Sequence, residues 1–93
     1  MKAKDYVEKY KVEMFSDNAE RVTKAASELI FDLLKEVKTI MSIRNAKSNA
    51  ALFSVLKEVN QKYNAICKTF PMLKRDGFKA VVNDLFPLIR GEW

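Results

Sequence analysis

Residues 51–70, ALFSVLKEVNQKYNAICKTF, decide the fold. Their apolar side chains recur at alternating spacings of four and three residues, at Leu52, Leu56, Val59, Tyr63, Ile66 and Phe70. This spacing places them on one side of a helix. Pro71 ends the pattern because proline disfavours helical geometry in the residue before it. The stretch therefore predicts the core of an amphipathic helix.

The same periodicity continues on both sides of this stretch. It predicts helices over about 3–15, 17–41, 49–70 and 77–86. Glycine and proline occur only in the last quarter of the chain, whereas a strand-rich fold would need such turn residues earlier. We therefore expect an all-α protein, a small bundle of three to four helices in a single domain covering 1–93. The apolar C-terminal tail, 87–93, is expected to pack back on the bundle.

Polar residues between the apolar patterns indicate where the helices begin. Ser16, Asp17 and Asn18 offer side-chain oxygens that can cap the second helix, and Asp17 has capping-box spacing from Glu20. Asp76 is expected to cap the fourth helix. The polar segment before the third helix predicts a connector that ends at Ser48 or Asn49. One continuous helix through this segment is the alternative, since no residue in it forbids helical geometry.

The residue types that most enzymes use are scarce. The chain has no histidine and one cysteine, Cys67, so the commonest general base and metal ligand are missing. Its two glycines are too far apart to form a phosphate-binding loop. Glu28, Asp32 and Glu36 share one helical face but interleave with lysines, and we interpret them as a solvated face. We expect a protein that is not an enzyme and has no metal, cofactor or small-molecule substrate.

The sequence also bears on cellular location. No stretch approaches the roughly 18 uninterrupted apolar residues of a membrane span. The first residues, MKAKDYVEKYK, are basic but are not followed by the apolar core of a signal peptide. We therefore expect a cytoplasmic protein without a membrane partner.

Positive charge is concentrated in the middle of the chain. The net charge is +5, from 17 basic and 12 acidic side chains. Residues 38–79 hold nine basic side chains and two acidic ones, a net charge of +7, whereas 1–37 and 80–93 each have a net charge of −1. At about 100° per residue, the outer face of the third helix consists of Lys, Asn and Gln, with Phe53 at its border.

This charge distribution predicts a surface that contacts a nucleic acid or an acidic protein surface. Lysine neutralises phosphates, Asn and Gln bond to base edges or to sugar and phosphate oxygens, and an aromatic ring stacks on an unpaired base. The candidate binding residues are Arg44, Lys47, Phe53, Lys57, Asn64, Lys68, Lys74, Arg75 and Lys79. An ordinary solvated helix face is the simpler alternative, since no known DNA-binding motif is recognisable.

A second hypothesis uses the apolar residues near the chain ends. Tyr6, Tyr10, Met14 and Trp93 are then an interface for another protein or for a second copy of the chain, with no nucleic-acid binding. A heptad-like seam in a short chain also permits a homodimer. Packing of the same side chains within one bundle explains them equally well. Under either hypothesis the sequence predicts a small helical adaptor or regulatory protein that acts by surface contact.

Overall fold

The computed structural model describes residues 1–86, which form four helices. They are α1 (Ala3–Met14), α2 (Ala19–Ile43), α3 (Asn49–Thr69) and α4 (Gly77–Leu85). The first three helices pack on one another, and α4 packs on α3. The predicted all-α bundle is confirmed. None of the helices described has the length and apolar character needed to cross a membrane. The expected docking of 87–93 falls outside the described residues.

The start of α2 differs from the prediction. Asn18, not Asp17, caps this helix, because its Oδ1 accepts hydrogen bonds from the backbone N–H groups of Glu20 (2.9 Å) and Arg21 (3.4 Å). Asn18 has the extended backbone conformation that an N-cap residue requires. The helix therefore begins at Ala19, and of the three candidate cap residues the cap is Asn18, not Asp17.

The end of α2 is fixed by a left-handed residue. Asn45 has a φ of 50°, which stops the helix after Ile43. The N–H of Ala46 then donates to the carbonyl of Met41 (2.9 Å), and the N–H of Asn45 donates to that of Ser42 (3.1 Å). This pair of bonds is a Schellman motif. A connector is therefore present, and the alternative of one continuous helix is wrong.

The two later helices begin in different ways. Ser48 caps α3 as predicted, because its Oγ accepts a hydrogen bond from the N–H of Ala51 (3.1 Å). Asp76 directly precedes α4, but its side chain makes no capping hydrogen bond. Its carboxylate lines the cleft between α3 and α4 instead. The prediction of Asp76 as a side-chain cap is therefore wrong.

The core lies between α1, α2 and α3. From α3 it takes Val55, Leu56, Val59, Tyr63, Ile66 and Cys67, and Phe70 follows directly. Leu52, the first member of the predicted seam, is only partly buried. The thiol of Cys67 is free and buried, and this burial raises its pKa. The four-three spacing thus located the buried side of the central helix.

Three of the four residues in the alternative interface belong to this core. Tyr6, Tyr10 and Met14 are 2%, 6% and 1% exposed. Large apolar side chains gain about 1.5–3 kcal/mol each by full burial, and α1 places these three against α2 and α3. These three side chains therefore pack within the bundle, and they offer little exposed area for a partner interface. Trp93, the fourth residue, lies outside the described residues.

A carboxylate on α2 ties this helix to α1. Asp32 accepts hydrogen bonds from the Nζ of Lys9 (2.7 Å) and from the hydroxyl of Tyr10. Burial raises the pKa of Asp32, but the two hydrogen bonds together with the positive charges of Lys9 and Lys35 outweigh this effect, and the pKa is lowered. Burial and the same hydrogen bond raise the pKa of Tyr10. Asp32 is thus an interhelical contact and not part of a solvated face.

A second carboxylate, one turn further along α2, joins all three helices. Glu36 accepts hydrogen bonds from the hydroxyl of Tyr6 on α1 and from the Nζ of Lys62 on α3. Burial again raises the pKa of this carboxyl, but the hydrogen bonds from Lys62 and Tyr6 together with the positive charges of Lys62 and the Met1 ammonium outweigh burial, and the pKa is lowered. The interpretation of Glu36 as a solvent-facing residue is therefore wrong as well.

Candidate functional site

The outer face of α3 points to solvent, as its periodicity predicts. Lys57, Gln61, Asn64 and Lys68 are all exposed and lie opposite the buried seam. Their spacings of four, three and four residues align them along the helix. We call these four residues the outer face of α3. It contains two positive charges and no negative charge.

A cleft of about 300 Å³ opens between the second half of α3 and the start of α4. It is lined by Asn60, Asn64, Lys68, Arg75, Asp76 and Lys79. Four of the nine predicted binding residues, Asn64, Lys68, Arg75 and Lys79, therefore meet here. Three cations against one carboxylate leave this α3–α4 cleft with a net positive charge.

The connector between α3 and α4 positions the cationic wall of the cleft. The hydroxyl of Tyr63 donates a hydrogen bond to the carbonyl of Lys74 (2.9 Å), and its ring lies 5.8 Å from that of Phe78. Burial raises the pKa of the Tyr63 hydroxyl, so it stays protonated as a donor. These contacts hold the connector against α3 and bring Arg75 and Lys79 opposite the helix.

Asn60 lines the cleft but is not among the nine binding residues predicted from the sequence. Its Oδ1 is buried and has no hydrogen-bond partner among residues 1–86. A buried acceptor without a partner costs about 1–3 kcal/mol, which a bound group with a hydrogen-bond donor can offset. At about 100° from Val59, Asn60 sits on the flank of α3. Only the position of α4 turns this flank into a cleft wall.

Phe53 does not have the geometry of a stacking platform. The side chain is half-buried and packs against the core. The Nζ of Lys57 lies 5.2 Å from the ring centroid, so a cation already covers the ring. An unpaired base would have to displace Lys57 to stack there. The expected role of Phe53 in stacking on an unpaired base is therefore not supported.

The remaining predicted cations are distributed outside the cleft. Arg44 pairs with Glu58, with 3.0 Å between a guanidinium nitrogen and Oε2, and Lys47 is exposed in the following connector. Both belong to the connector before α3, and neither lines the cleft. Lys57 lies between the two groups, and Lys74 is exposed beside the cleft. The cations thus follow α3 as a stripe and do not form one compact cluster.

A larger groove than this cleft lies elsewhere, between α1 and α2. It has a volume of about 810 Å³ and carries charges of both signs, with Arg21 and Lys24 beside Glu13 and Glu28. Phe31 lines this groove and is 60% exposed. Phe31 is not among the residues predicted from the sequence. A usable signal was that it lies outside the helical apolar pattern of α2, which consists of Val22, Ala26, Leu29, Leu33, Val37 and Ile40.

Comparison with known proteins adds no assignment: no protein family, no curated protein and no solved structure matches this chain. Within residues 1–86, no group of three or more Cys, Asp or Glu side chains is arranged to hold a metal ion. The charge, the exposure and the residue types of the surface are therefore the basis for a functional proposal.

Proposed function

We propose that this protein is a small, non-enzymatic helical adaptor or regulatory protein that binds a polyanion. The proposed binding surface is the outer face of α3 together with the α3–α4 cleft. One observation carries the proposal: Asn64, Lys68, Arg75 and Lys79, which come from three successive segments of the chain, line one cleft. A solvated face of a single helix does not require such convergence.

The residue types in this surface suit phosphate or carboxylate groups. The guanidinium of Arg75 can bond two oxygens of one anionic group, whereas Lys68 and Lys79 act as point charges. The amide of Asn64 can donate to a further oxygen. Asp76 limits the net charge of the cleft, so several anionic groups along α3 are needed for strong binding. A polymeric anion satisfies this need better than a small one.

A salt titration tests the proposal. The protein is mixed with labelled single-stranded DNA, duplex DNA, RNA or polyglutamate, and the dissociation constant is measured from about 50 to about 200 mM salt. If about five cations contact phosphates of duplex DNA, log affinity falls with log salt at a slope near −4.5. Absence of binding to every polyanion at the lowest salt concentration would refute the proposal.

A second candidate function is protein–protein contact at the groove between α1 and α2. The observation that favours it is the exposure of Phe31 in a groove that carries both positive and negative side chains. Self-association through this groove is measured by light scattering at two protein concentrations. A dimer that Phe31→Ser converts to a monomer would support this contact. A strict monomer at the higher concentration would contradict self-association.

A further inference from the structure

We infer that the preferred polyanion is double-helical DNA and that α3 enters its major groove. This inference rests on the proposed function, because it names the ligand of the same surface. The outer face of α3 is an exposed helical ridge, and the major groove, about 12 Å wide, admits an α-helix. Double-helical DNA fits this ridge because its charge is complementary and because the residue types along the ridge suit its groove.

The centre of the ridge has the side chains that read bases. Gln61 and Asn64 are exposed and lie three residues apart, so they project from the same side of α3. Carboxamide side chains bond in bidentate fashion to the N6 and N7 atoms of adenine in the major groove. The exposed small residues Ser54 and Ala65 border the ridge and permit close approach of the helix to base edges.

The ends of the ridge have the side chains that bind phosphates. Lys57 and Lys68 flank the Gln61–Asn64 pair and are separated by about 16 Å along the helix axis. Arg75 and Lys79 extend the positive surface sideways from Lys68 onto the connector and α4. Amides in the centre and cations at the margins match a groove whose floor is base edges and whose rims are phosphates.

The same surface is poorly suited to single strands. Binding of unpaired bases relies on exposed aromatic rings. On α3, α4 and their connector, within the residues described, the exposed large apolar side chains are Met72 and Leu85, and neither is aromatic. Phe53 is half-buried and covered by Lys57. Double-stranded RNA is also disfavoured, because the deep, narrow major groove of the A-form helix excludes an α-helix.

Fluorescence anisotropy with the full chain tests the inference. The probes are a mixed-sequence DNA duplex, each of its single strands, the corresponding RNA duplex and polyglutamate, all at one low salt concentration. We expect the DNA duplex to bind about tenfold or more tightly than every other probe. Equal or tighter binding of a single strand, RNA or polyglutamate overturns the inference but leaves polyanion binding intact. No binding to any probe overturns both.

Two variants test the assigned reading residues. Duplexes selected from a random pool by the wild-type protein should bind more tightly than the unselected pool. Gln61→Ala with Asn64→Ala should reduce this ratio about fivefold or more, without changing the salt dependence of non-specific binding. Ser27→Ala on α2, also at an exposed position, is the matched control. An unchanged ratio, with an unchanged thermal unfolding midpoint, overturns the major-groove placement.

Discussion

Lys62 of α3 and Glu36 of α2 form an ion pair whose side chains are only 22% and 14% exposed. By sequence, Lys62 belongs to the run of nine central cations. In the fold, this cation neutralises a carboxylate at the edge of the core and is not part of the candidate binding surface. This ion pair therefore distinguishes Lys62, which has a structural role, from the exposed lysines on the same helix.

The first prediction is that Lys62→Met destabilises the protein. The substitution removes the cation that donates a hydrogen bond to Glu36 and leaves this largely buried carboxylate with the Met1 ammonium, at 3.6 Å, as its remaining ion pair. We expect a cost of about 1–3 kcal/mol. Urea unfolding measures this cost. Lys38→Met on α2, at an exposed position, is the control and should change the unfolding free energy by about 0.5 kcal/mol or less. Equal effects of the two substitutions would show that the ion pair adds no stability.

The second prediction concerns acid. The pKa values of Asp32 and Glu36 are lowered in the folded protein, so at low pH the unfolded chain binds more protons. Their stabilising contribution is complete above the unfolded pKa, about 4, and is lost as the pH falls through the folded pKa values. Unfolding free energies at about pH 6, 4 and 3 should therefore decline.

Glu36→Gln provides the control for this pH dependence. The amide that replaces the carboxyl does not titrate, so the variant should start less stable near neutral pH and lose less stability in acid. Glu8→Gln, on the exposed side of α1, should keep the wild-type slope. A Glu36→Gln variant with the full wild-type slope would contradict the role given to this carboxylate.

The third prediction concerns the attachment of α4. A Cβ at Gly77 would lie 3.0 Å from the Oη of Tyr63, which is held by its bond to Lys74 and by the Phe78 ring. Gly77→Ala should therefore destabilise the protein by about 1 kcal/mol or more, although alanine favours helices. Unfolding free energies of Gly77→Ala, of Tyr63→Phe and of the double variant measure the energetic coupling between these two positions.

Tyr63→Phe is the second single substitution of this double-mutant cycle. It removes the hydroxyl that an alanine at position 77 would approach, at the cost of one hydrogen bond, about 1 kcal/mol. The double variant should then be more stable than the sum of the single effects by about 0.5 kcal/mol or more. If Gly77→Ala were stabilising and additive with Tyr63→Phe, the close approach would not limit this position.

The helices could be predicted from the sequence because their signal is local. Spacings such as Leu56, Val59, Tyr63 report directly which side of a helix is buried. Caps were less certain, since Asp17 and Asn18 both offer an oxygen and only the backbone conformation selects between them. The stripe of Tyr6 and Tyr10 was identified, but its periodicity alone could not decide between core packing and a partner interface.

The contacts between helices could not be predicted, because no local rule gives their partners. Asp32 and Glu36 interleave with lysines in sequence, and only the packing of α1 and α3 shows that tyrosine hydroxyls reach them. Likewise, spacing aligned Asn64 with Lys68, but the turn that brings Arg75 opposite them depends on Tyr63. Arg75 and Lys79 were therefore predicted as candidate residues, but the cleft that they form with Asn60 was not.

The most direct test of the binding surface is a charge reversal on the outer face of α3. Lys57→Glu with Lys68→Glu should abolish binding to nucleic acid or polyglutamate at low salt and change the unfolding free energy by about 1 kcal/mol or less. Lys4→Glu with Lys24→Glu changes the net charge equally at exposed positions on α1 and α2, and should retain most of the binding. Binding that survives the first pair as well as the second would contradict the assignment of this surface.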